Sequence, residues 1–178
     1  MSSTLHILSI DPGTRGDNPA GGALLAFEGG EERLMETWLW SPDKALKAPH
    51  KRIWDIARQI ADAARDCQVI YRDLVLCYEA AWQGVNPQTG LKLATAGGAV
   101  IGIGGVLGLE AVPFQPLQGK VALAGDRHAD AAAMCMAARV RFGLAELPSE
   151  HVAAAIGGAL WLEGELRRAR MAREAVRG

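Results

Sequence analysis

Leu5-His6-Ile7-Leu8-Ser9-Ile10-Asp11-Pro12-Gly13-Thr14 sets the frame for the rest of the chain. Its aliphatic run stops at an Asp-Pro-Gly turn, the pattern of a buried central strand. Working outward, Gly21-Gly22 marks a boundary, residues 23–27 read as a second strand, Glu28-Gly29-Gly30-Glu31 as a hairpin turn, and residues 33–40 as a third, partly alternating strand. Over residues 49–66 the period changes: Ile53, Ile56, Ala57, Ile60 and Ala64 share one helical face, with Arg58, Asp62 and Arg65 away from it. Leu74-Val75-Leu76-Cys77-Tyr78 is a fourth strand ending at Glu79. A polar loop at 83–87 leads to a small-residue helix over 88–109, then a fifth strand over 111–114 and two helices over 129–142 and 149–175. The predicted order is βββαβαβαα. It implies a single α/β domain over residues 1–178 with a mixed five-stranded sheet flanked by helices, and an Arg-rich helical tail from about residue 163.

The composition, 178 residues with 49% hydrophobic and 22% charged, excludes a disordered tail or a coiled coil. Nineteen Lys and Arg against twenty Asp and Glu leave a net charge of -1, so the average does not mark a nucleic-acid binder. The basic residues are nevertheless uneven. Lys44, Lys47, His50, Lys51 and Arg52 form one group, and Arg167, Arg168, Arg170, Arg173 and Arg177 another. Each group suits a DNA backbone or a solvated face. Cys67, Cys77 and Cys135 lack the spacing of a disulfide framework or a zinc site. With no leader pattern and no apolar run long enough to span a bilayer, the expected setting is the cytoplasm, away from membranes.

Asp11 and Glu79 both stand at the C-terminal ends of apolar strands, where open α/β sheets build their sites. If those strands are neighbours, the two carboxylates face each other and repel unless a proton or a hard cation such as Mg²⁺ or Mn²⁺ lies between them. The same residues also fit a plain reading, with Asp11 starting its turn and Glu79 as a solvated strand end.

The ordered set Ile10-Asp11-Pro12-Gly13-Thr14, then Glu79, then Lys120 before Gly125-Asp126-Arg127, then Pro148-Ser149-Glu150-His151-Val152-Ala153-Ala154-Ala155-Ile156, resembles the RuvC family of Holliday-junction resolvases in the RNase H-like superfamily. The resemblance implies an RNase H-like sheet and a metal-dependent endonuclease, a crossover junction endodeoxyribonuclease that resolves branched DNA by phosphodiester hydrolysis. It implies two Mg²⁺ ions per site, with Mn²⁺ as a substitute, and a homodimer to match the two strands of a four-way junction. Carried over by position, Asp11, Glu79 and His151 are the metal ligands, and Lys120 adds positive charge to complete the catalytic set. Trp82 aligns with an aromatic at the branch point, and Asn86, Lys92, Lys120 and Arg127 are candidate DNA contacts. Trp82 equally suits a core, Lys120 a solvated surface, and His151 a helix start.

The fourth ligand should stand three residues after His151, one turn along the same helix face. That position is Ala154, and a methyl group cannot replace an oxygen ligand. Glu150 is adjacent to His151 but about 100° round the helix, which speaks against it as the substitute. Ala154 is therefore either a natural loss or a substitution that stops cleavage while keeping DNA binding. Ala131, where the resemblance implies a Lys on the scissile strand, raises the same choice. Two rivals follow: a non-catalytic junction-binding module, and an actin-like nucleotide-binding lobe in which the Asp-Pro-Gly-Thr turn holds phosphates. The actin-like architecture needs about twice this length.

Overall fold

The computed structural model describes residues 4–13, 19–80 and 87–177, apart from the side chains at 87–89, 92, 93 and 177. Five strands, β1 (Leu5–Asp11), β2 (Ala20–Glu28), β3 (Glu31–Trp40), β4 (Leu74–Glu79) and β5 (Ala111–Phe114), form one sheet in the order β3-β2-β1-β4-β5. β1 pairs antiparallel with β2 and parallel with β4, β2 is antiparallel to β3, and β4 is parallel to β5. The helices are α1 (Pro49–Ile70), α2 (Pro87–Leu107), α3 (Pro116–Ala124), α4 (Ala131–Phe142) and α5 (Glu150–Arg177). This is the expected mixed five-stranded sheet flanked by helices, with one more helix than the sequence pattern shows.

Side-chain alternation along the central strands explains the layering. Ile7 on β1 and Cys77 on β4 join Phe114, Ile156 and Ala159 in a core under α3, α4 and α5. Leu8 and Ile10, with Leu76 and Tyr78, pack the opposite face under α1 and α2. β1 is thus covered on both sides, which is why it reads as a nearly continuous apolar run. No helix among the described residues is long and apolar enough to cross a membrane. All three cysteines are free and buried, and burial pushes the Cys77 thiol up to about 12.

Two expectations need correction. Gly21-Gly22 is not a boundary, because both glycines lie inside β2. A methyl on Gly21 would fall on the His151 carbonyl and within 2.5 Å of the Val152 nitrogen, and one on Gly22 would strike the Trp40 ring. The pair is there for close approach of neighbouring elements. The second correction is α3, hidden in sequence by Pro116 and Gly119 within nine residues. Pro116 occupies its first turn, and Gln115 and Gln118 cap it reciprocally, with the Gln115 amide donating to Gln118 Oε1 at 2.6 Å. Lys120 therefore sits on a helix. α1 also runs one turn past its expected end, to Ile70.

Glycines seat α5 as well. Gly157 lies against Gly119 of α3, where an added methyl would stand 2.6 Å from the Gly119 carbonyl oxygen, and Gly158 faces the Phe114 ring and Ser9. Gly21→Ala is expected to destabilise the protein by about 1–3 kcal/mol in urea denaturation, because backbone must move to accept the methyl. Gly164→Ala, whose methyl would meet only the Arg168 guanidinium at 3.5 Å, should instead gain up to about 1 kcal/mol of helix stability. Equal effects from the two substitutions would contradict this packing.

Candidate active site

Asp11 and Glu79 end the parallel neighbours β1 and β4, one residue beyond the Ile10–Tyr78 register pair. Alternation from Ile7 and Ser9 turns Asp11 toward α5, and alternation from Cys77 turns Glu79 the same way. Both carboxylates therefore open into a cavity of about 300 Å³ also lined by Lys120, Asp130, Ala131, Glu150, His151 and Ala154. The topology brings together Asp11, Glu79, Lys120, His151 and Ala154, the set read from the sequence.

Asp11 is 6% exposed and His151 9%, so their contact is shielded from water. His151 Nδ1 stands 2.7 Å from Asp11 Oδ2, and the Gly13 amide donates to Asp11 Oδ1 at 3.1 Å. This hydrogen bond to Asp11 raises the His151 pKa against the opposing effect of burial. Glu79 is pushed up to about 8, first by desolvation and then by the charge of Asp11, with Lys120 pulling the other way. The site holds a carboxylate pair that is costly to ionise together and a cation placed to relieve part of that cost.

Two residues that the sequence reading passed over line the same cavity. The angle between Glu150 and His151 speaks against Glu150 in the sequence, yet position 154 lies between the two in helical projection, and Glu150 precedes it by four residues. Glu150 Oε1 stands 3.8 Å from His151 Nε2. Asp130 is the N-cap of α4 and accepts from the Ala133 amide at 2.8 Å. An Asp before an alanine run is a capping signal, and only the fold shows that this cap faces the site.

Arg127 stands away from this cavity. It lines a groove of about 660 Å³ between α3 and α5 with Val121, Arg141, Trp161 and Arg168. Trp82 and Asn86 lie outside the described residues, as does the side chain of Lys92. The two basic groups lie at opposite ends of the sheet. Asp11 pairs with Gly21 and Gly21 with Leu39, so the Lys44–Arg52 group following β3 is at the carboxylate end. The end of α5 lies by Leu5 and the β2–β3 turn, at the other.

No family model and no curated protein sequence matches the chain. Among solved structures, it is similar to Thermus thermophilus RuvC in complex with Holliday junction substrate, with a TM-score of 0.76 and 23% identity over 93% of this chain and 96% of that one. It is also similar to a second Thermus thermophilus RuvC structure, with a TM-score of 0.72 and 24% identity over 93% of this chain and 97% of that one. The chain has the RuvC form of the RNase H-like fold.

The electrostatics fix a sign for pH dependence. A Glu79 carboxyl near 4.5 when unfolded and near 8 when folded keeps a proton that the unfolded chain has shed, so stability falls as pH rises between those values. His151 acts in the same direction: its contribution is full below 6.5 and is lost as pH rises through its higher folded pKa. In metal-free buffer, Tm should therefore fall from pH 5 to pH 8, and Glu79→Gln should flatten that fall. An equally steep fall in the variant would contradict the assignment.

Proposed function

We propose that the chain is a metal-dependent endonuclease for branched DNA, with its hydrolytic site in the Asp11–Glu79 cavity. The observation that carries this reading is the meeting of Asp11, Glu79, His151 and Lys120 in one cavity, on a chain whose fold follows a junction-bound RuvC over 93% of its length. The donor set fits a hard cation. Burial, and then the charge of Asp11, hold a proton on Glu79 up to about pH 8, and the contribution of Asp11 is a repulsion that a divalent ion would cancel. Asp11 and Glu79 would hold Mg²⁺ or Mn²⁺, with His151 as the third donor. Bound there, the ion would supply an acidified water and Lewis-acid stabilisation of the phosphate.

The chain's own residues do the rest. Lys120 places positive charge beside the scissile phosphate, a contact that positions without reading sequence. His151 orients Asp11 through the 2.7 Å hydrogen bond. Among the described residues no three His, Cys, Asp or Glu side chains form a ready ion cage, and Asp11 and His151 are hydrogen-bonded to each other. Ala154 lines the cavity without an oxygen to offer, so the two-ion arrangement lacks its fourth ligand. That observation favours one second reading, a junction-binding module that does not cut.

A pair of copies would give the junction two such sites related by a two-fold axis. α2 supports this pairing. Gly97 and Gly104 face Tyr78 and Leu76 of its own sheet, whereas Gly98, Gly102 and Gly105 open outward beside the exposed Ile101 and Val106.

The test is cleavage of four-way, flap and linear DNA in Mg²⁺ and in Mn²⁺ by the protein and by its Ala154→Asp variant. The variant should cut the four-way junction at least on the order of 10–100-fold faster than the parent, the scale on which metal-site partners act. Adding Asp11→Asn should abolish cutting and leave junction binding intact. A variant that binds junctions but cuts nothing overturns the nuclease reading in favour of the binding module. If neither protein prefers branched DNA to duplex, the junction reading fails.

A further inference from the structure

α5 runs 28 residues and outlasts the domain it packs on. Its buried stretch ends at Leu162, Leu166 is partly covered by the core, and residues 167–176 are all exposed. Arg170 and Arg173 follow Leu166 by four and seven residues, so they continue the stripe that faces the sheet further back. At the end of the sheet that stripe changes from Leu to Arg: Arg170 lines a cavity with Leu5, Glu28, Glu31, Glu32 and Glu163, and Arg173 lies one turn beyond it.

The charges there are unequally satisfied. Arg168 pairs with Glu165 at 2.5 Å and Arg167 approaches Glu163 at 3.9 Å, while Glu32 is engaged by Arg141. Arg170 and Arg173 form no ion pair or hydrogen bond with the described residues. A solvated helix extension gains little from tertiary packing, and residues 167–177 carry five Arg against one Glu. Concentrated, unpaired guanidinium groups on a projecting helix fit a polyanion.

We propose that this end of α5 is a second DNA contact, gripping backbone phosphates of a duplex arm whose branch point lies at the Asp11–Glu79 cavity. The proposal rests on the branched-DNA reading and adds a reach to it. Nineteen residues of α-helix separate His151 from Arg170, about 28 Å at 1.5 Å per residue. That is roughly 8 base pairs at 3.4 Å per step. The groove between α3 and α5, with Arg127 and Arg141 on its walls, lies between the two sites.

The experiment measures junction affinity of the full chain against salt concentration, using four-way junctions with 6-base-pair or 20-base-pair arms. It compares the protein with Arg170→Gln/Arg173→Gln and with Arg170→Lys/Arg173→Lys, all in EDTA, with circular dichroism confirming helix content. On long arms the Gln variant should bind more weakly, and its slope of log affinity against log salt should be shallower by about 2 for each protomer bound, near 0.9 for each lost phosphate contact. The Lys variant should keep the slope, and on short arms all three proteins should agree. Equal slopes on long arms, equal weakening on both arm lengths, or a change of oligomeric state in the Gln variant would each overturn the proposal. Failure of the unsubstituted protein to prefer junctions to duplex would instead overturn the functional reading beneath it.

Discussion

The structure depends on how closely α5 approaches the sheet. Two glycines set that distance, Gly21 of β2 under the first turn of the helix and Gly158 over Phe114 and Ser9, and Gly157 allows the same closeness to Gly119 of α3. Each removes a methyl where backbone or ring already occupies the space. Because β2 touches the His151 backbone, the imidazole reaches Asp11 on the adjacent strand at 2.7 Å. A methyl's thickness added at Gly21 would separate the two groups that define the cavity. Packing and site geometry are one constraint here, expressed in the core as close contact and at the strand ends as a hydrogen bond.

The second determinant is strand direction and parity. β1 and β4 are parallel neighbours, so their C-terminal residues finish side by side, and alternation turns both toward α5. Burial, and then the charge of Asp11, raise the proton affinity of Glu79, and the fold answers with Lys120 from α3. The formal charge of -1 averages over this arrangement. Asp11 and Glu79 converge at one end of the sheet, the end of the Lys44–Arg52 group, while the arginines of α5 gather at the opposite end beside Glu28, Glu31, Glu32 and Glu163. Near-neutrality in composition is compatible with strong local fields, and in this chain those fields are separated along the length of one helix.

Much of this was legible in the sequence because it is carried by local periodicity. The aliphatic run of β1, the hairpin glycines at 29 and 30, and the 3.6-residue period of α1 each specify an element without reference to partners. Asp11 and Glu79 could be singled out because strand ends are visible in a one-dimensional pattern. What escaped depends on contacts distant in sequence. Gly21-Gly22 looks like punctuation until His151 and Trp40 are seen against it. α3 is short, begins at a Pro and contains a Gly, so its helicity rests on the Gln115–Gln118 caps and on α5 beneath it. That Glu150 lines the cavity depends on where the helix lies against the sheet and not on its angle to His151, and the capping role of Asp130 hides its orientation.

The proposed function requires the Asp11–Glu79 cavity to hold a divalent cation against DNA. Calorimetric titration of Mn²⁺ into the metal-free protein at neutral pH, repeated with Asp11→Asn, tests it most directly. The account predicts saturable binding by the parent with proton release as Glu79 ionises, and loss of that binding in the variant. Absence of saturable binding in the parent, or unchanged binding in Asp11→Asn, would contradict it.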